Sequence, residues 1–370
     1  MKVTAAVTEA KGAPFLLQAL EIGEPRDDEV LVSVAASGIC HTDLIARDLW
    51  YPVPMPVVLG HEGAGVVAAV GRSVDRMKVG DRVSMTFGSC GSCINCLRAK
   101  PAYCHRLPEF NVASVRQDGT TALSRGGETI HSHFVGQSSF ATAAICRERS
   151  VVSIDSSIPL DVLAAFGCGI QTGAGAVLNS LQVPPGSTIA IFGTGAVGLA
   201  ALLAARIAGC DTIVGVDIIP ERLELALELG ATHVVDSSQS DAVEEIRRVS
   251  PGGVDFCIET TGVPAVLQSC VGCTAPLGVV GVVGVCPPGA EIPINMTLVR
   301  SGGRSIRGVT EGDSVPQIFI PQLVRFWEQG RFPVERFMRF YEFSEIQQAA
   351  DDAESGRTIK PILRMPAVPR

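Results

Sequence analysis

Apolar positions in the first part of the chain come in short runs. Glu29–Ala36, Gly65–Val70 and Arg82–Met85 are rich in Val and Ala and are broken by Gly, Pro and Asp. That pattern predicts β-strands and turns up to about residue 150. Near Pro184 the spacing changes. Ser187–Phe192 reads as an apolar strand, Ala196–Ala208 as a small-residue helix and Thr212–Asp217 as a second strand. Glu221–Leu229 has helical spacing and stops at Gly230, Thr232–Val235 is a third strand, and Val254–Ile258 and Leu277–Val285 are two more. Strands alternating with helices at this spacing predict βαβ units and a parallel sheet. Gln317–Gln329 and Phe343–Ser355 then read as amphipathic helices. No internal repeat or low-complexity stretch is evident.

Length and composition narrow the class. At 370 residues the chain exceeds one compact core, so two domains are expected. Hydrophobic residues make up 46% and charged residues 18%, which excludes a disordered chain. The net charge of −8 argues against nucleic acid or an anionic membrane as partner. Met1–Ala10 has neither the basic start nor the apolar run of a secretory signal, and no apolar stretch approaches the roughly 20 residues of a membrane span. A reducing, cytoplasmic compartment is therefore expected, in which the 12 cysteines bind metal or stay reduced. Cys146, Cys210, Cys257, Cys270, Cys273 and Cys286 lie mostly in apolar surroundings and read as core. Cys270-Val-Gly-Cys273 mimics a redox pair but lacks basic neighbours to lower a thiol pKa.

Three features carry chemistry. Cys90, Cys93, Cys96 and Cys104 fall within fifteen residues. Four thiolates can close a tetrahedral shell around one Zn²⁺, and a closed shell holds a loop without doing chemistry; disulfides or chance are the alternative. Gly193-Thr-Gly195-Ala-Val-Gly198 sits between a strand and a helix, where the glycines permit a tight turn, approach to a pyrophosphate and close helix–strand packing. Asp217 ends the next strand, 19 residues after Gly198. Its carboxylate can bond an adenosine ribose and would repel a 2′-phosphate, so NAD is favoured over NADP. Arg222 either reaches the ribose side or is an exposed helix residue. Finally, Cys40, His61 and Cys168 lie in glycine-flanked segments and could form a three-ligand zinc site with one open position. Spacing alone does not join them, and a lone His is commonly a satisfied core residue.

Cys40-His-Thr-Asp43, Gly60-His61-Glu62 with Gly63 and Gly65, the Cys90–Cys104 lobe, Cys168 and Gly193–Gly198 occur in an order that resembles the zinc-dependent medium-chain alcohol dehydrogenases. The resemblance spans essentially the whole chain. Cys40–Asp48, Tyr51-Pro-Val-Pro and Phe166–Gly175 look most like the aryl-alcohol (benzyl-alcohol) dehydrogenases. An α/β molecule is implied. Residues 1–169 and 311–370 would form a distorted, GroES-like β-barrel catalytic domain with a structural-zinc lobe at 90–104, and 170–310 a doubly wound Rossmann NAD domain, with the active site in the cleft between them. Two Zn²⁺ per chain are implied, the catalytic one held by Cys40, His61 and Cys168. A homo-oligomer is implied too. The long segment between Cys104 and Cys168 favours a dimer over a tetramer, and Gly278–Val309 would supply its contact.

The implied reaction is reversible oxidation of a primary, benzyl-type alcohol to its aldehyde, with zinc as Lewis acid and hydride passing to NAD⁺. By the same resemblance Thr42 takes the alcohol proton, Asp43 orients His61 and Glu62 approaches the metal during ligand exchange. His41 meets the pyrophosphate, Thr172 and Val197 press on the nicotinamide, Val285 offers backbone to its amide, and Lys360 is a second phosphate contact. One position departs: many relatives have His where this chain has Ile45, and Ile cannot pass a proton on. Trp50, Tyr51, Phe87 and Phe134 either wall an aromatic pocket or pack the barrel. Three alternatives stay open. They are a terpenoid allylic alcohol dehydrogenase, a dehydrogenase of a glutathione–formaldehyde adduct, and a non-catalytic NAD(P)-binding protein of the same fold.

Overall fold

The structure, a computed structural model, describes residues 1–366. The chain divides into two compact units, Met1–Cys168 with Val315–Arg370, and Gly169–Ser314. The sequence reading placed these boundaries at 169/170 and 310/311.

The first unit is built on two largely antiparallel sheets. One orders Val57–Val58, Lys2–Thr8, Leu16–Ile22, Leu123–Arg125 and Glu128–Ile130. The other runs Val151–Ser153, Arg82–Met85, Glu62–Val70, Glu29–Gly38, Lys360–Arg364 and Met338–Glu342, with Ala143–Arg147 also paired to Glu29–Gly38. Its central strand, Glu29–Gly38, is buried over most of its length, as its mostly apolar run from Val30 to Ala36 requires. Two expected strands lengthen on folding, to Glu29–Gly38 and Glu62–Val70, and both extensions approach Cys40 and His61. Val30, Val32, Val57, Leu59, Phe134 and Phe140 are almost wholly buried in one core, each apolar side chain contributing roughly 1.5–3 kcal/mol by leaving water.

The second unit carries a six-stranded, all-parallel sheet in the order His233–Asp236, Thr212–Asp217, Thr188–Phe192, Val254–Glu259, Thr274–Val282, Ser305–Gly308. Numbered along the chain this is 3-2-1-4-5-6, the doubly wound dinucleotide-binding order. Helix Ala196–Ala208 forms as read, and Gly230, at φ 107°, ends helix Pro220–Leu229 in the left-handed conformation. Cys257, Cys270 and Cys273 are buried in this unit's core among Ala190, Val254 and Val280, behaving as small hydrophobes. Cys286, in contrast, is exposed.

Some boundaries are corrected. The strand expected at Leu277–Val285 is Thr274–Val282, because helix Pro264–Cys273 runs straight into it and a register shift opposite Val254/Phe256 pushes Leu277 out to 81% exposure. Pro316 starts the helix read as Gln317–Gln329, since Pro suits the first turn. The Phe343–Ser355 helix is a 3₁₀ turn, Phe343–Glu345, followed by helix Ile346–Glu354. Among the described residues no single helix is long and apolar enough to cross a membrane.

Candidate active site and metal centres

The first unit gathers Cys40, His61, Glu62 and Cys168, with one ligand atom from each lying within 4.8 Å of the others. Cys40 caps helix His41–Arg47, and His61 precedes strand Glu62–Val70. Cys168 follows a tight turn in which Thr86 Oγ1 donates to the Gly167 carbonyl at 2.7 Å. A Cβ at Gly167 would stand 1.9 Å from the Met85 carbonyl oxygen, so only glycine lets that turn approach the sheet.

Asp43, fully buried, organises this cluster. Its Oδ2 accepts from the Cys40 backbone N–H at 2.9 Å, and its Oδ1 from the Gly60 N–H at 3.1 Å and His61 Nδ1 at 2.7 Å. With the proton on Nδ1, the other ring nitrogen carries a lone pair. That Nε2 is buried and has no hydrogen-bond partner. An orphaned imidazole nitrogen beside two thiols fits a thiophilic cation. The electrostatics agree. A hydrogen bond with Cys168, then His61 and the Lys360 charge, hold the Cys40 thiol well below its ordinary pKa against the effect of burial. Burial opposes a charged His61, but Asp43 and Cys40 outweigh it and raise its proton affinity. Negative surroundings that favour a proton favour a metal cation equally.

Glu62 is fully buried, which raises its pKa, and Lys360 tempers that rise. Lys360 itself is 2% exposed. Its Nζ donates to Glu62 Oε1 and Oε2 at 2.9 and 2.7 Å and to the Ile39 carbonyl at 3.2 Å. Lys360, read as a second phosphate contact, has its donors turned onto Glu62 and Ile39. Sequence reasoning also missed Gln137. Its Nε2 donates to the His61 carbonyl at 2.8 Å and its Oε1 accepts from the Gly63 N–H at 3.0 Å, clamping the turn that carries His61. No motif marks it.

Of the aromatic candidates, Phe134 packs edge-on against the His61 ring at 5.8 Å and is 1% exposed. Phe87 is buried in the core, Tyr51 packs half-buried against it, and Trp50 is exposed, edge-on to His41 at 6.5 Å. Thr42 is half-buried at the start of its helix and Ile45 is buried on the same helix.

The second cluster is Cys90, Cys93, Cys96 and Cys104, also within 4.8 Å of one another. Sγ–Sγ separations of 3.9 Å (Cys90–Cys96) and 4.0 Å (Cys93–Cys104) exclude disulfides. They match the edge of roughly 3.8 Å that a tetrahedron of 2.3 Å Zn–S bonds has. Backbone N–H groups of Ser92 and Cys93 point at Cys90 Sγ, and those of Cys90 and Arg106 at Cys104 Sγ. Burial would raise the Cys90 thiol, but these N–H donors bring it down to about 5.

In the second unit, Gly193 turns at φ 88° directly after strand Thr188–Phe192, and Gly195 caps helix Ala196–Ala208. A Cβ on Gly198 would stand 1.8 Å from the Gly193 carbonyl oxygen, the close packing this loop needs. Asp217 is 8% exposed and already accepts four hydrogen bonds. Thr194 N and Oγ1 donate to Oδ2 at 2.7 and 2.9 Å, and Ile218 N and Ile219 N to Oδ1 at 2.8 and 3.1 Å. A ribose hydroxyl would have to displace the rotatable Thr194 hydroxyl. Arg222 is half-buried in the first turn of helix Pro220–Leu229, and Val285 lies exposed beyond the sheet. Glu259, not anticipated, is 1% exposed and fixes the neighbouring loop by accepting from Thr261 N and Oγ1 and Gly262 N.

A family model of the alcohol dehydrogenase GroES-like domain matches residues 26–156. A model of the zinc-binding dehydrogenase matches residues 196–328. The chain is 44% identical over 361 residues to a geraniol dehydrogenase of Castellaniella defragrans, covering 97% of this chain and 96% of that protein. The crystal structure of an alcohol dehydrogenase zinc-binding domain protein from Burkholderia ambifaria superposes with a TM-score of 0.98 at 52% identity over 99% of both chains. Benzyl alcohol dehydrogenase from Acinetobacter calcoaceticus does so with a TM-score of 0.96 at 46% identity, over 99% of this chain and 100% of that one.

Proposed function

The chain belongs to the zinc-dependent medium-chain alcohol dehydrogenases, and on that premise we propose that it oxidises primary aromatic alcohols reversibly to aldehydes with NAD⁺. The family implies zinc and a nicotinamide cofactor; two zinc ions per chain and NAD rather than NADP are our reading. The observation that carries it is the buried, unpartnered His61 Nε2, held by Asp43 toward Cys40 and Cys168. When bound there, zinc supplies Lewis acidity toward an alcohol or carbonyl oxygen, and the nicotinamide supplies the hydride acceptor.

This chain's residues do the rest. Cys40, His61 and Cys168 hold the metal, and Asp43 keeps His61 in the ligating tautomer. Lys360 restrains Glu62 beside the ligands. Thr42 receives the alcohol proton, and Ile45 leaves the relay without a terminal base. His41 faces the pyrophosphate, Thr172 and Val197 orient the nicotinamide, and the negative Asp217 rejects a 2′-phosphate. Cys90, Cys93, Cys96 and Cys104 hold the second zinc.

The likeness to benzyl alcohol dehydrogenase supports an aromatic substrate; Phe134, 1% exposed against His61, packs the barrel core. A second reading, a terpenoid allylic alcohol, is favoured by the geraniol dehydrogenase relative. Both substrates place an sp² carbon beside the carbinol. A kcat/KM panel over benzyl, cinnamyl, geranyl and short aliphatic alcohols, with NAD⁺ and NADP⁺, separates them. The aromatic reading fails if geraniol leads. We further propose a homodimer through Ser305–Gly308, an exposed outermost strand that carries exposed Ile306, with Leu277 and Met296 exposed in the segments before it. Light scattering on Ile306→Lys tests it.

A further inference from the structure

The segment that follows the last parallel strand is held in an unusual backbone. Glu311, Gly312 and Asp313 have φ of 49°, 61° and 51°, three left-handed residues in succession, two of them not glycine. Such strain persists only where the surroundings over-determine it, and it gathers at functional sites. The surroundings here do so. Arg307 bonds Asp313 Oδ2 at 2.9 Å and the Ser180 carbonyl at 2.7 Å, and Asn179 bonds the Gly312 carbonyl at 3.2 Å. A Cβ on Gly312 would stand 2.4 Å from the Gln171 carbonyl oxygen, so the strap lies tight against helix Gly169–Gly175.

This clamp fixes where the Glu311 carboxylate goes. Oε2 lies 3.5 Å from Thr172 Oγ1 and 3.4 Å from Gln171 Nε2. Gln171 is fully buried and is locked in turn by the Ser314 hydroxyl at 2.9 Å. Gly173, directly after Thr172, packs so closely on the dinucleotide helix that a Cβ would stand 2.0 Å from the Val197 carbonyl oxygen. Strands Thr188–Phe192 and Ser305–Gly308 point the same way in the sheet, so Glu311 and the Gly193–Gly198 turn share its carboxyl end. Dinucleotides bind at that end of a doubly wound sheet.

We propose that Glu311 is a positioning and charge-setting residue for the nicotinamide, and that its carboxylate favours the cationic oxidised ring over the neutral reduced one. This rests on the reading in which Thr172 and Val197 orient the nicotinamide. Oxidised nicotinamide carries a positive charge that hydride transfer removes. A carboxylate fixed beside Thr172 would therefore bind NAD⁺ more tightly than an amide would and leave NADH nearly unaffected. The device tilts the bound cofactor pair toward alcohol oxidation.

The test is equilibrium binding to the zinc-loaded enzyme without alcohol. NADH is titrated by its fluorescence, and NAD⁺ by competition. For Glu311→Gln, a charge several Å from the ring predicts a rise of about 3–10-fold in the NAD⁺ Kd, with the NADH Kd within about twofold. Glu311→Asp keeps the charge and should keep the wild-type ratio of the two constants. NADH affinity in each variant shows that the site is intact. Equal losses of both affinities in Glu311→Gln would reduce Glu311 to part of the strap and overturn the proposal, as would an unchanged ratio. Wild-type protein that bound neither dinucleotide would overturn the functional reading, and this proposal with it.

Discussion

Asp43→Asn isolates what the buried carboxylate does for the proposed catalytic zinc. Asp43 accepts three N–H groups, from Cys40 at 2.9 Å, Gly60 at 3.1 Å and His61 Nδ1 at 2.7 Å, and is fully buried. Asparagine has the same shape but only one accepting oxygen. In its better orientation that oxygen keeps Gly60 and His61, while its NH₂ meets the Cys40 N–H donor to donor. A buried N–H left unsatisfied costs about 1–3 kcal/mol, and the two retained bonds fall from charge-assisted to neutral strength. The expected loss of stability is about 3 kcal/mol. The zinc site also loses a negative charge and its grip on the His61 tautomer, and removing such an outer partner lowers metal affinity by roughly 10–100-fold. Two measurements follow: the urea midpoint, and zinc retained against a graded chelator. A variant with the wild-type chelator profile would refute the argument that Asp43 sets the His61 lone pair, even if it were less stable.

Cys104→Ser should lose one zinc and much of the stability, whereas Cys168→Ser should lose turnover but keep NADH binding; zinc per chain and thermal melts check this, and equal unfolding in both contradicts the division of roles. Asp217→Gly should erode the preference for NAD⁺ over NADP⁺, mainly through KM, and a wild type indifferent to the two cofactors would sink that reading. Ile45→His should raise alcohol oxidation more near neutral pH than at pH 9, by about tenfold or less, in a pH–rate profile with deuterated alcohol. Burial would raise the Glu29 pKa, but His133, Arg116 at 2.7 and 2.8 Å and the Arg26 N–H bring it down to about 2. A depressed carboxylate stabilises the fold above its unfolded pKa, about 4.3, and that contribution is lost as pH falls toward 2. Water in the adjoining cavity of about 180 Å³ limits it to about 2 kcal/mol. Arg116→Met should flatten the decline in stability across that window, as read by denaturant midpoints.

Five strands of the parallel sheet were legible because they are short, mostly apolar and separated by helices with marked ends, whereas the exposed sixth, Ser305–Gly308, with Ser305 and Arg307, carries no apolar run. Gly230 ends one helix in the sequence as it does in the structure, where Pro220 starts it one residue before Glu221. Where the reading slipped, a local signal lost to a tertiary one. Leu277 looks like a strand interior, yet the register shift beside Val254 turns it outward. The cluster of Cys90, Cys93, Cys96 and Cys104 was legible because its four thiols are close along the chain, so spacing alone limits the geometry. Cys40, His61 and Cys168 meet only because two sheet strands extend past their apolar runs and a turn at Gly167 folds under Met85. Only resemblance could join them.

Polar side chains that pair across long stretches of sequence were the least legible, and for one physical reason. Gln137, Lys360 and Glu311 act across 76, 298 and 139 residues of sequence separation. Side chains of this kind carry no periodicity and no short motif, and their roles exist only once the fold has set their partners. Lys360 illustrates the consequence. Read by resemblance it was a cation for a phosphate; in place it neutralises Glu62, a carboxylate that would otherwise sit buried beside two thiols. A charge of −1 there, unbalanced, would compete with the thiols for the metal or take up a proton. The lysine would thus bear on which side chains could hold a metal there, a placement that belongs to the packing of strand Lys360–Arg364 against Glu29–Gly38 and not to any motif in the chain.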